Sequence, residues 1–262
     1  WTQPWHKNWR SFLVAMDKFN EHLSAKGIVF ACSMYNIQHT VTPVNGKLQV
    51  RLECERPDVE IRYTVDGKEP TDRSLLYKNP LMVTDTQTIK CATYRAGRQM
   101  GKILTLPLAW YKATAKPDLG NKQAGKILVN GIRGSLRQSD FEWHSWESSD
   151  SVAFTIDLQK KELLRSVSVG CITNYGMAAH KPADIEVWVS NNNRDYRKVS
   201  GKQFTDGEIF REGTFKEDVV LDLNKEIGRY VRIIAKGVGE CPATHVRPGQ
   251  EARIYFDEVM IE

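Results

Sequence analysis

Three short stretches of the sequence combine aromatic rings with side chains that bond hydroxyl groups. They are Phe141-Glu142-Trp143-His144-Ser145-Trp146, the run from Asn174-Tyr175-Gly176-Met177 to His180, and Pro242-Ala243-Thr244-His245-Val246-Arg247. Aromatic faces stack on the apolar side of a pyranose, while Arg, His and Asn bond its hydroxyls. Trp143, His144, Trp146, Asn174, Tyr175, His180, His245 and Arg247 are therefore the candidate carbohydrate-binding residues. Each has a plainer reading beside it. Trp143 suits a core position, Trp146 and Tyr175 suit either role, and a single His or Arg on a loop is commonly only solvated.

Other site chemistry is missing from the sequence. No GxSxG elbow, P-loop, GxGxxG or HExxH occurs. A glycosidase needs two carboxylates facing one bond. The adjacent acidic pairs Glu217-Asp218 and Asp257-Glu258 fall in strands, where alternation sends neighbours to opposite faces. No catalytic residue is expected in the chain. The five cysteines show no CxxC spacing and no paired His, and the six histidines are scattered singly, so no zinc site is expected. An odd cysteine count also argues against a complete disulfide framework and for small buried thiols.

The 262 residues are 41% apolar and 26% charged, enough to bury two or three small cores and too ordered a composition for global disorder. No apolar run is long enough for a membrane-spanning helix. The net charge of +5 divides into 4 basic and 2 acidic residues over 1–35, 13 and 8 over 36–116, and 20 and 22 over 117–262. Without a clustered basic run, nucleic acid is excluded as a partner. A lipid surface is disfavoured because Trp143 and Trp146 lie beside Glu142 and Glu147. The opening at Trp1, with no Met and no leader, reads as a piece of a longer protein.

The elements that must hold these loops fall into three regions. Residues 8–26 form an amphipathic helix with Trp9, Phe12, Leu13, Met16, Phe19 and Leu23 on one stripe, Asn8 as N-cap and Gly27 after its end. Residues 36–112 alternate with period two in 47–53, 59–65 and, more loosely, 88–94, and Asp66-Gly67 signals a hairpin. This predicts a small antiparallel sandwich. Residues 113–123 read as a linker. Beyond it, strands expected at 151–158, 164–171, 184–190, 215–221, 228–235 and 254–262 predict a sandwich of about eight strands.

Trp1-Thr2, Lys7-Asn8-Trp9-Arg10-Ser11-Phe12 and Leu23-Ser24-Ala25-Lys26-Gly27-Ile28 resemble the end of a family 20 glycoside hydrolase barrel. The run from Glu60 to Thr71, with Ser74-Leu75-Leu76-Tyr77, is similar to the chitobiase C-terminal β-sandwich. The last part resembles a discoidin, or coagulation factor 5/8 type C, module through Leu128-Val129-Asn130-Gly131, Ile156-Asp157-Leu158, Val187-Trp188-Val189-Ser190 with Tyr196, Arg229-Tyr230-Val231-Arg232-Ile233 and Phe256-Asp257-Glu258-Val259. Gln159 stands where Gly is usual, Asn192-Asn193 replace Asp-Gly, and Thr244 replaces a Trp.

The resemblance implies a mainly β chain of three parts. These are a remnant of the last barrel helix (1–35), an Ig-like sandwich (36–116) and an eight-stranded discoidin-like jelly roll (117–262). It implies the non-catalytic C-terminal part of an exo-β-N-acetylhexosaminidase whose catalytic Asp-Glu pair lies upstream, outside the cytoplasm of a bacterium, in the periplasm or at the cell surface. Its ligands would be glycans ending in N-acetylhexosamine or galactose-type sugars. The alternative is a spacer docked on the catalytic barrel. The resemblance further implies a structural Ca²⁺ held by Asn130, Ser135 and Glu258, with Asn130 in place of the usual Asp. An apolar helix stripe deprived of its barrel predicts pairing between chains.

Overall fold

The computed structural model describes residues 5–25, 33–44, 47–117, 119, 125–147 and 151–262. Trp1-Thr2, Gly27-Ile28, Cys32, most of the segment 118–124 and the side chain of Trp9 lie outside the described residues. Helix α1 spans Trp5–Ala25, so Asn8 falls within its first turns rather than capping it. Nothing from Trp5 to Lys7 breaks a helix, and a Pro just ahead favours a helix start. Leu13 is buried and Met16 and Leu23 are half-buried, whereas Phe12 and Phe19 are 50% and 56% exposed. The expected stripe is therefore only partly covered. A polar clamp holds the helix down: Asp17 accepts the Tyr35 hydroxyl at 2.5 Å and pairs with Arg56 and, at 3.3 Å, with Arg95.

The first sandwich is built from β1 (Ile37–Val44), β2 (Lys47–Cys54), β3 (Glu60–Thr64), β4 (Leu75–Leu76), β5 (Leu81–Val83), β6 (Gln87–Arg95), β7 (Arg98–Gln99) and β8 (Leu104–Leu108). One sheet has the order β1-β2-β5; the other has β4-β3-β6-β7, with β8 also on β6. The alternation of β2 buries Leu48, Val50 and Leu52 against Val83, Ile89, Cys91, Leu106 and Leu108. Asp66-Gly67 does turn the chain, with Gly67 at φ +75° and Asp66 Oδ1 accepting the Lys68 amide at 3.2 Å. It does not close a two-residue hairpin, because β3 pairs with β4 ten residues later and with β6. Pro70, which has no amide hydrogen to donate, interrupts the returning strand.

The second sandwich follows a short helix α2 (Gly125–Leu128). Its strands are β9 (His144–Glu147), β10 (Ser151–Asn174), β11 (Asp184–Ser190), β12 (Arg197–Gln203), β13 (Thr214–Lys236) and β14 (Arg253–Ile261), with a one-turn helix α3 (Asp206–Ile209) before β13. The order is β12-β11-β13-β10-β14-β9. The strands expected at 151–158 and 164–171 are one 24-residue strand, and those at 215–221 and 228–235 are merged in β13. Their pairing register breaks between Asp157 and Glu162 and again after Leu164. Gln159, Asn224 and Lys225 take positive φ there. The long hairpin thus bends at these bulges, and each half lines a different part of a core that includes Phe154, Ile156, Leu164, Val169, Ile233 and Phe256.

The two sandwiches are joined directly. Ala109 N donates to Gly131 O at 2.7 Å, Lys112 N donates to Ile261 O at 3.0 Å, and Leu108 bridges Ile132. A Cβ at Gly131 would come within 2.4 Å of Leu48 Cδ1, and its φ is +82°, so only glycine fits this seam. The expected linker begins one turn too early. Ala113 is fully buried in the second core, and Ala115 N donates to Val129 O. Alanine is small enough to be taken into that core.

Candidate functional site

In the first aromatic stretch the two tryptophans pack inward, whereas Phe141 is 93% exposed. Trp143 is 6% exposed, its indole nitrogen donates to Ser135 O at 3.0 Å, and its ring lies on Gly134, where a Cβ would come within 2.4 Å. Trp146, on β9, is half-buried and packs between Phe154 and Phe256, with ring centroids at 6.4 and 5.6 Å. His144 sits edge-on to Trp146 at 4.4 Å, and burial lowers its pKa.

The other candidates meet at one end of the second sandwich, where Asn174 closes β10 and a 3₁₀ turn carries Tyr175–Met177. Loop 241–252 lies against this turn: His180 N donates to Arg253 O, and Arg253 N donates to Ala178 O. Tyr175 is half-buried and its ring lies 4.0 Å from that of His245, tilted by 52°. Arg247 is exposed; its Nε donates to Gly176 O at 2.6 Å and a terminal nitrogen donates to Gln250 Oε1 at 3.1 Å. Asn174 is half-buried, with its backbone paired to Ala179.

His180 and His245 lie beneath this surface, 1% and 4% exposed, so they form its base rather than its face. His180 Nδ1 meets Ile209 O at 3.2 Å, and His245 Nδ1 accepts the Arg247 amide at 3.0 Å. Burial, helped by the neighbouring His245, pushes the His180 pKa down to about 4; burial also lowers that of His245. Both rings are neutral at neutral pH. Buried Cys241 joins them, a convergence of two histidines and a thiol that the scattered sequence positions did not foretell. The one trace was the spacing Cys241-x₃-His245.

Beside this base opens a cleft of about 580 Å³, lined among others by Asp184, Phe204, Asp206, Phe210, Glu240 and Pro242. Phe210 links it to the loop cluster, its ring edge-on to His180 at 4.9 Å. Carboxylates that accept hydroxyl or ammonium protons, next to the rings of Phe204 and Phe210, suit a polar sugar ring. The sequence reading missed Asp184, Asp206 and Phe210 because only the fold brings them together around this cleft.

Of the expected metal residues, Glu258 meets the turn that carries Asn130, through the amide of Gly131. Glu258 is fully buried; its Oε2 accepts the Gly131 amide at 3.0 Å and its Oε1 has no partner. Asn130 Oδ1 accepts the Ile132 amide at 2.7 Å, and its Nδ2 donates to Glu142 Oε2 at 2.7 Å. Burial raises the pKa of both Glu142 and Glu258. Ser135 is exposed, and its hydroxyl oxygen accepts the Arg137 amide. An unpartnered carboxylate oxygen and a second, half-buried carboxylate fit a hard cation better than Asn130 and Ser135 do, and Glu142 is the addition. The neighbouring Asp257 is occupied by Arg133 and the Gly134 amide, both at 2.9 Å.

Two β-sandwiches in series, the second carrying a loop cluster at one end, define a modular β protein. Residues 112–246, just over half of the chain, match the F5/8 type C domain, and the chain belongs to that family. Residues 42–105 match the chitobiase/beta-hexosaminidase C-terminal domain. No curated protein matches the chain. Among solved structures it is similar to chitosan-binding module 1 of a chitosanase/glucanase from Paenibacillus sp. IK-5, with 14% identity over 58% of this chain and 98% of that one and a TM-score of 0.37. It is also similar to a Clostridium perfringens CBM32 module in complex with GalNAc-β-1,3-galactose, with 16% identity over 55% and 86% of the two chains and a TM-score of 0.35. A third is the C-terminal domain of a chitobiase from Bacteroides fragilis, with 12% identity over 52% and 78% and a TM-score of 0.32.

Proposed function

We propose that this chain is the non-catalytic C-terminal part of an exo-β-N-acetylhexosaminidase of glycoside hydrolase family 20, acting outside the cytoplasm of a bacterium, and that its second sandwich binds terminal sugars of glycans. The observation that carries the sugar reading is the face formed by Tyr175 and Arg247 over a rigid base, with an open polar cleft beside it. The parentage rests on the order of the parts: an apolar helix, a chitobiase-type sandwich, then an F5/8 type C module. Tyr175 supplies the stacking surface, Arg247 donates to ring hydroxyls, and the cleft carboxylates accept from them. Ca²⁺ would be held by Glu258, Glu142 and loop carbonyl groups, where it would neutralise one buried and one half-buried carboxylate and fix the Asn130-Gly131 turn.

A glycan array probed with the whole chain, with and without calcium, tests this reading. Selective binding to terminal galactose, N-acetylgalactosamine or N-acetylglucosamine supports it. A blank array from folded protein favours the spacer, a reading that the direct seam between the sandwiches and the exposed Phe12 and Phe19 of α1 would then explain. Turnover of a nitrophenyl N-acetylglucosaminide by the chain would contradict the non-catalytic assignment.

A further inference from the structure

We infer that His180, Cys241 and His245 form a binding site for a thiophilic metal ion, Zn²⁺ or Cu⁺, at the base of the loop cluster. One ligand atom from each residue lies within 4.8 Å of the others, and the three residues are 1%, 3% and 4% exposed. Around a tetrahedral zinc, bond lengths of about 2.0–2.3 Å set ligand atoms roughly 3.5 Å apart, so loading asks for a contraction of about 1 Å. The Nε2 atoms of both histidines are buried without a hydrogen-bond partner among the described residues. An unsatisfied buried polar atom is costly, and two of them in one cluster with a thiol call for a shared partner.

The donor set selects the ion. A thiol and two imidazoles suit Zn²⁺ or Cu⁺ and not Ca²⁺, which takes oxygen ligands. His180 is already set in one tautomer: Nδ1–H donates to Ile209 O, which leaves the lone pair on Nε2 for a ligand bond.

The other two ligands carry the cost. Cys241 must release its thiol proton to solvent, and the resulting thiolate offsets one of the charges of the ion. His245 accepts the Arg247 amide on Nδ1, so its neutral ring carries the proton on Nε2. Ligation through Nε2 moves that proton to Nδ1 and turns the Arg247 amide away. Arg247 also holds Gly176 O, so metal loading moves the residue that crowns the exposed face. The ion would thus tie loop 241–252 to the Tyr175 turn and couple its own binding to the shape of that face.

Cobalt titration of the whole chelator-treated chain tests this site. The expected result is one Co²⁺ per chain, with a thiolate charge-transfer band and tetrahedral visible bands, all bleached by Zn²⁺. Cys241→Ser removes the charge-transfer band, and His180→Gln weakens Zn²⁺ binding by about tenfold or more, since even outer partners of a metal ligand are worth that much. Should the variants fail to fold, anomalous scattering from zinc-soaked crystals of the unaltered chain places the ion about 2.3 Å from Cys241 Sγ. No charge-transfer band at stoichiometric Co²⁺, an undiminished band in Cys241→Ser, or zinc located away from Cys241 would each overturn the assignment and leave a packed neutral histidine pair.

Discussion

Glu258 Oε2 accepts the Gly131 amide at 3.0 Å, joining two residues 127 positions apart at the seam where the second sandwich meets the first. Its other oxygen is buried and unpaired, with the Glu142 carboxylate contributing to the field around it. Calcium is expected to raise the melting temperature of the metal-free chain, by about 2.7 kcal/mol of stability at 100 times its dissociation constant. Glu258→Gln abolishes that gain. A calorimetric titration with no heat and an unmoved melting curve would rule calcium out.

The bend of the β10–β13 hairpin rests on Asp157, which accepts Arg229 at 2.7 and 2.9 Å and the Gln159 amide at 2.7 Å. Hydrogen bonds from Arg229 hold the Asp157 pKa below its ordinary value of 3.8. A depressed carboxylate stabilises the fold above its unfolded pKa and loses that contribution as pH falls through the folded one. Asp157→Asn is expected to cost about 1 kcal/mol at pH 7, since Arg229 is partly exposed. The loss shrinks below pH 4. Urea denaturation at pH 7 and pH 3 checks it; an equal loss at both would refute the charge argument.

Much of this fold could be read from strict alternation. Leu48, Val50 and Leu52 point inward as the period of two requires, and β11 occupies the expected residues 184–190. The bend in β10 was invisible because Gln159 at φ +70° carries no glycine signal, so one strand read as two. Short strands such as β5 and β9 lack enough residues to show a period. Tyr175 and Arg247, whose residue types suit a sugar, meet at one end of the second sandwich. The base beneath them was not legible. His180 lies 61 positions before Cys241, and only the return of β14 past the Tyr175 turn brings them together.

Trp143 behaves as core, bonded to Ser135 O and laid on Gly134. Trp143→Ala is expected to cost about 3–5 kcal/mol by cavity formation. Sugar affinity per folded molecule stays unchanged. Thermal melting with active-fraction titration measures both; an affinity loss without a stability loss would return Trp143 to the ligand surface.

Helix α1 leaves Phe12, Val14 and Phe19 at 50%, 53% and 56% exposure. Light scattering is expected to show a dimer that dissociates on dilution. The double change Phe12→Ser with Phe19→Ser yields a monomer at every concentration. An unaltered chain that stays monomeric at high concentration would contradict pairing through this helix.

Calorimetric titration of the best array sugar into the whole chain, compared with Tyr175→Ala and Arg247→Ala, tests the central claim most directly. Each variant is expected to keep its melting temperature to within a few degrees and to bind about tenfold more weakly or worse, as the loss of a stacked ring or a charged hydrogen bond requires. Undiminished affinity in both variants would place the sugar elsewhere and contradict the account.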